Sequence, residues 1–168
     1  MFKVGTKVVY PLQGAGVIEA IEEHKVLDKN HKYYVIKLVA GNMRIMVPVE
    51  FAEKIGLREV VEKEEFKKVF AILKGEKEDM VADWKVRYAT NLEKMKTGSV
   101  FKMAEVARNL SWRSREKTLS VGEKRLFENA CSAIATELAY SWKIEPQEAD
   151  AMVKNILKEG ADQQPTVQ

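Results

Sequence analysis

The chain has 168 residues and a mass of 19.2 kDa, enough for one ordinary domain or two small ones. With 46% hydrophobic and 32% charged residues it can bury a core, which excludes wholesale disorder. No apolar run approaches the roughly 20 residues of a membrane helix. The start, MFKVGTKVVYPLQG, lacks the apolar stretch of a signal peptide. One cysteine excludes an intramolecular disulfide and a cysteine-based zinc site. The expectation is a reduced cytoplasmic protein. The net charge of +3 is unevenly spread: residues 84–125 hold 11 Lys or Arg against four Asp or Glu, between two acidic flanks. Such a block marks either a polyanion site or the solvated face of charge-rich helices.

In chain order, residues 1–61 read as β. Thr6 to Tyr10 is a β-branched run closed by Pro11 and a turn at Gly14-Ala15-Gly16, and Val17 to Ile21 follows. Tyr33 to Val39 alternates, with Tyr34, Ile36 and Leu38 on one face and Tyr33, Val35 and Lys37 on the other. Gly41-Asn42 marks a short turn, Met43 to Val47 returns, and Leu57 to Val61 offers a last strand. Short strands at this spacing predict a small SH3-like barrel.

After residue 61 the period becomes helical. Phe66, Val69, Phe70 and Leu73 share one face, and Gly75 to Asp79 reads as a charged linker. Helices are then predicted over about 81–96 and 100–110, with a polar, basic loop over 111–118. Ser120-Val121-Gly122-Glu123 has capping-box spacing and starts a fourth helix running to about Trp142. Pro146 suits the first turn of a fifth, and Gly160 is placed to end it. The fold class is therefore α+β: a β module over 1–61, an all-α bundle of about five helices over 62–160, and a disordered tail over 161–168.

Catalytic signals are nearly absent. His24 and His31 sit in polar surroundings, and there is no nucleophile elbow, Walker loop or HExxH helix. Gly14-Ala15-Gly16 lacks the third glycine and following helix of a dinucleotide loop. Cys131 shares an apolar face with Phe127, Ile134 and Leu138 and reads as core. No enzyme, cofactor, metal or small-molecule substrate is expected.

Three segments carry binding character. At about 100° per residue, Val81, Trp84, Tyr88, Leu92 and Met95 form an apolar arc, with Arg87, Asn91 and Lys94 as a polar, basic arc beside it. Trp84 falls on the border near the helix start. It is either a core tryptophan whose edge reaches the surface or a wedge for stacking on bases. Lys124 and Arg125 sit just inside a helix N-terminus whose amides favour anions, with Arg113, Arg115 and Lys117 available to extend the positive surface. Trp112 and Trp142 read as packing residues. In Arg44-Ile45-Met46-Val47-Pro48, Arg44 and Met46 share one face and Ile45 and Val47 the other. An outward Met and a terminal Pro suit an edge strand that is either simply solvated or able to pair with another protein.

Taken in order, VVYPLQGAGVIEAIE, GNMRIMVPVE, LREVV, WKVRYATNLEKMKTGSVFKMAEVARNL and LSVGEKRLFENA resemble the bacterial CarD/CdnL family of transcription regulators. The resemblance covers about residues 2–158. It implies a Tudor/SH3-like module that docks on the β subunit of RNA polymerase. It also implies a helical module that contacts promoter DNA at the upstream edge of the transcription bubble and stabilises the open complex. By position, the minor-groove wedge would be Trp84, and Arg87, Lys124 and Arg125, with Lys85, would meet the DNA backbone. Arg44 to Pro48 would be the polymerase contact, with Met46 and Pro48 central. The chain departs from some relatives at His24, where they carry Arg, and at Ala89, where they carry a basic residue. The implied setting is the cytoplasm at the nucleoid. A polymerase-binding adaptor without DNA contact is the alternative.

Overall fold

The computed structural model describes residues 1–162 and divides into two compact units, Met1–Val60 and Val61–Gln168.

The first unit is a five-stranded antiparallel sheet of β1 (Lys7–Tyr10), β2 (Gly14–Val26), β3 (Lys29–Leu38), β4 (Arg44–Pro48) and β5 (Arg58–Glu59). Its order is β4-β3-β2-β1-β5, so β4 and β5 are opposite edges and the expected barrel is an open sheet. Val8, Ile18, Tyr34, Ile36, Leu38 and Val47 fill its core. β2 and β3 are longer than the sequence pattern suggests. They pair from Gly16↔Leu38 out to Val26↔Lys29, around a two-residue turn in which Leu27 and Asp28 both have positive φ. Gly14 to Gly16 is not the turn expected there but the start of β2. A Cβ on Gly16 would lie 2.5 Å from the Lys37 carbonyl oxygen.

The second unit contains α1 (Phe66–Lys74), α2 (Trp84–Lys96), α3 (Val100–Glu116), α4 (Val121–Trp142) and α5 (Pro146–Asp162). Phe66, Val69, Leu73, Val106, Leu110, Ile134, Leu138 and Val153 are wholly or almost wholly buried between them. Cys131 belongs to this core, and burial pushes its thiol up to about 12, which leaves it protonated and unreactive. The segment before α1 is tied down: the Val61 amide donates to Glu137 at 2.9 Å, and Trp142 Nε1 donates to the Lys63 carbonyl at 3.3 Å. Trp142 also meets the Phe70 ring edge-on, the packing role expected of it.

Two boundaries differ from expectation. The predicted loop over 111–118 is largely helix, because α3 continues to Glu116, with Arg113 and Arg115 in its last turn, where cations suit the helix dipole. Gly160 does not stop α5 but lies inside it. A Cβ there would come within 2.7 Å of the Lys74 Cα, so this glycine lets α5 rest directly on the end of α1. Residues 161 and 162 complete α5, and the rest of the expected tail lies outside the described residues.

Candidate functional site

In the sheet unit, β4 is an edge: β3 covers one side of it, in the register Tyr33↔Pro48, Tyr34↔Val47, Val35↔Met46, Ile36↔Ile45 and Lys37↔Arg44. Alternation does the rest. Val47 is buried and Ile45 half-buried on the core face, while Arg44 and Met46 are exposed on the other. Met46 is 47% exposed and stands opposite Val35, with Tyr33 and Pro48 as the next pair along. The outer face of this edge is therefore a short apolar strip ending at the Lys37–Arg44 pair. Arg44 Nε donates to Glu19 at 2.7 Å, which holds the Glu19 carboxyl below its ordinary range. His24 shares a hydrogen bond of 2.9 Å with Glu22 and meets the Tyr33 ring edge-on. Sequence reasoning misses half-buried Tyr33 as a member of this surface; Val35, opposite Met46, is itself buried.

In the helical unit, Trp84 is the first residue of α2 and is 57% exposed. The Asp83 carboxylate caps the helix by accepting from the Lys85 amide at 2.9 Å. The Lys85 ammonium lies 5.8 Å from the centre of the indole, within cation–π range.

The expected basic arc does not face solvent. Arg87 is 4% exposed. Its Nε donates to Glu123 of α4 at 2.6 Å, and its terminal nitrogen donates to the Val81 and Ala82 carbonyls at 3.1 and 3.2 Å. Asn91 is buried too, and Lys94 is largely covered, forming ion pairs at 3.3 Å with both Glu78 and Glu105. Arg87, Asn91 and Lys94 are thus not open surface groups. Carboxylates on α4, on α3 and in the 75–83 segment draw the polar stripe of α2 inward. The open face carries Lys85, Val86, Ala89 and Thr90 instead.

Trp84 lies in the middle of the inward arc by angle, yet is exposed. It occupies the first turn, and helical side chains lean toward the N-terminus, so its ring overhangs the end of the packed region. The approach to it is not a loose linker. Glu78 binds Arg108 at 2.9 Å and Lys94 at 3.3 Å, and its amide donates to Asn109. Burial resists the ionisation of Glu78, but these partners hold its carboxyl below the ordinary range.

The start of α4 is the second half of the site. Ser120 and Glu123 form a complete capping box, which gives partners to the Ser120 and Glu123 amides. Glu123 is 2% exposed. Burial opposes its ionisation, but hydrogen bonds from Arg87 and Ser120 outweigh that and hold its carboxyl below the usual range. Lys124 and Arg125, next in sequence, lie on the exposed side of the helix start or beside it, and among the described residues neither enters an ion pair. Gly122 lies against Tyr88, where a Cβ would meet the ring at 3.3 Å. Arg113 sits 4.0 Å from Glu123, and Arg115 3.8 Å from Asp162. The site so assembled has an exposed indole, three cations without acidic partners among the described residues (Lys85, Lys124 and Arg125) and a buried ion pair that joins the two helices carrying them. The sequence shows Glu123 only as a cap. The sign that it does more is Arg87, a cation on an arc that faces α4.

Among the described residues no group of three or more His, Cys, Asp or Glu could hold a metal ion, and no helix is long and apolar enough to cross a membrane.

Two family models match this chain: CarD, C-terminal domain, over residues 68–154, and CarD-like/TRCF RID domain, over residues 2–61. YdeB of Bacillus subtilis (strain 168), named as a candidate transcription factor, is 38% identical over 138 residues, covering 82% of this chain and 90% of YdeB. The solved structure of CdnLNt from Myxoccoccus xanthus is 38% identical and covers 38% of this chain and 89% of its own, with a TM-score of 0.33, which carries no structural argument. The two family models follow each other in the order of the two structural units, and the match to YdeB spans both. The chain belongs to the CarD/CdnL family of transcription regulators.

Proposed function

We propose that this regulator, which is not an enzyme, docks on the β subunit of bacterial RNA polymerase through β4. From there it stabilises the promoter open complex by seating Trp84 in the minor groove at the upstream edge of the bubble. The observation that carries the reading is the half-exposed indole with Lys85 at 5.8 Å, on a helix tied by the Arg87–Glu123 pair to the start of α4, where Lys124 and Arg125 are exposed. Cations of this kind meet phosphates without reading sequence. An apolar ring inserts most readily where the duplex is already parted, since the cost of unstacking is then lowest. A protein that binds the open state better than the closed one shifts the population toward it. On the sheet side, the reading is supported by an edge strand with exposed Met46 and half-buried Pro48 and Tyr33 at its outer side, suited to pairing with a strand of a larger protein. The setting is the cytoplasm, at the nucleoid.

Titration of the full chain with a forked DNA duplex at several salt concentrations tests the DNA half. Trp84→Ala weakens binding about tenfold, the worth of one stacked base, and leaves the salt dependence alone. Lys124→Ala and Arg125→Ala each flatten the slope of log K against log salt by about 0.9 for every phosphate no longer neutralised. Absence of binding even at low salt sinks this half and leaves a polymerase-binding adaptor without DNA contact.

A further inference from the structure

Arg87 and Glu123 form a buried, neutral pair with more geometry than charge to offer. A buried ion pair is weak evidence of stabilisation, since taking both charges out of water costs about as much as their attraction returns. Its partners here are specific. The Arg87 side chain reaches Glu123 on α4 with one nitrogen and, with another, the carbonyls of Val81 and Ala82, which stand three and two residues before Trp84. Glu123 is itself fixed by the Ser120 capping box and is followed directly by Lys124 and Arg125. Gly122 against Tyr88 is a second contact between the same two helix starts. Being neutral, the pair adds nothing to the positive surface.

On this basis, and resting on the reading of Trp84 as the DNA wedge, we propose that Arg87 and Glu123 are positioning residues. They lock the turn that carries the indole to the turn that carries Lys124 and Arg125, so that ring and cations meet a DNA fork as one rigid body. Lysine cannot replace Arg87, because one ammonium cannot serve the carboxylate and both carbonyls from the directions a guanidinium spans.

A double-mutant cycle on the full chain tests this, with forked-duplex affinity measured for wild type, Trp84→Ala, Arg87→Lys and the double variant. Arg87→Lys weakens binding about tenfold when Trp84 is present and less than about twofold when it is Ala, as coupled groups do. Heteronuclear NOEs of the indole N–H groups give a readout that needs no DNA. The Trp84 value falls in Arg87→Lys, while those of Trp112 and Trp142 stay level. Equal losses in both backgrounds, no loss in either, or an unchanged Trp84 NOE overturns the proposal. Should Trp84→Ala by itself leave affinity untouched, the wedge reading fails and the positioning role with it. If Arg87→Lys melts below the assay temperature, Glu123→Gln, which keeps an acceptor oxygen for the cap, carries the same cycle.

Discussion

Arg87 and Trp84 stand three residues apart on one helix and end in opposite environments, the cation buried and the indole exposed. Partners decide the first and position the second: Glu123 waits on α4 for the guanidinium, while Trp84 stands in the first turn of α2, at the end of the packed region. Buried carboxylates make stability depend on pH. The carboxyl of Glu123 is held below its ordinary value near 4.5, so its contribution is complete above that value and is lost as pH falls through the lower folded one. Glu123→Gln should therefore melt earlier than wild type near neutral pH, by about 2 kcal/mol for a charge-assisted bond. The gap should close progressively below pH 4.5; circular dichroism melts across that range would read it, and a constant gap would refute it. The exposure of Trp84, Lys124 and Arg125 was legible in the sequence, since their neighbours in the chain include charged residues. The inward turn of Arg87, Asn91 and Lys94 was not. Helical angle ranks residues by face but does not say which face a neighbouring helix supplies with carboxylates.

The edge strand β4 shows what alternation can deliver. The two faces of Arg44 to Pro48 were readable because a strand has period two and Pro48 marks its end. Met46→Arg places a charge on the apolar strip at an already half-exposed position, so it should change folding stability by no more than about 0.5 kcal/mol. It should nevertheless abolish co-purification with core RNA polymerase; recovery equal to wild type would remove β4 from the docking role. Elements whose limits depend on distant contacts were less legible. The β2–β3 hairpin extends to Leu27-Asp28, which carries two positive φ angles without the Asn-Gly signature of such turns. Helix α3 runs through a polar, basic stretch because its first half is anchored in the core. Gly160 resembles a helix stop and is a contact instead, required by the backbone of α1.

The molecule joins two units of unlike character, each weakly equipped to act alone. The sheet offers a short edge strand, and the helical unit offers an exposed indole and a few exposed cations. On the proposed function, docking of the first would raise the local concentration of DNA around the second, so that contacts of modest strength suffice. The order of modules was legible because the hydrophobic period changes from two to about 3.6 near residue 61; the open edges of the sheet were not, since closure depends on whether the two edge strands, β4 and β5, meet. The most direct test is the lifetime of a promoter open complex after competitor challenge, with polymerase saturated by wild type or Trp84→Ala. The account predicts that wild type prolongs the lifetime, while Trp84→Ala, bound to polymerase equally well, leaves it near that of polymerase alone. A lifetime prolonged just as far by Trp84→Ala would contradict it.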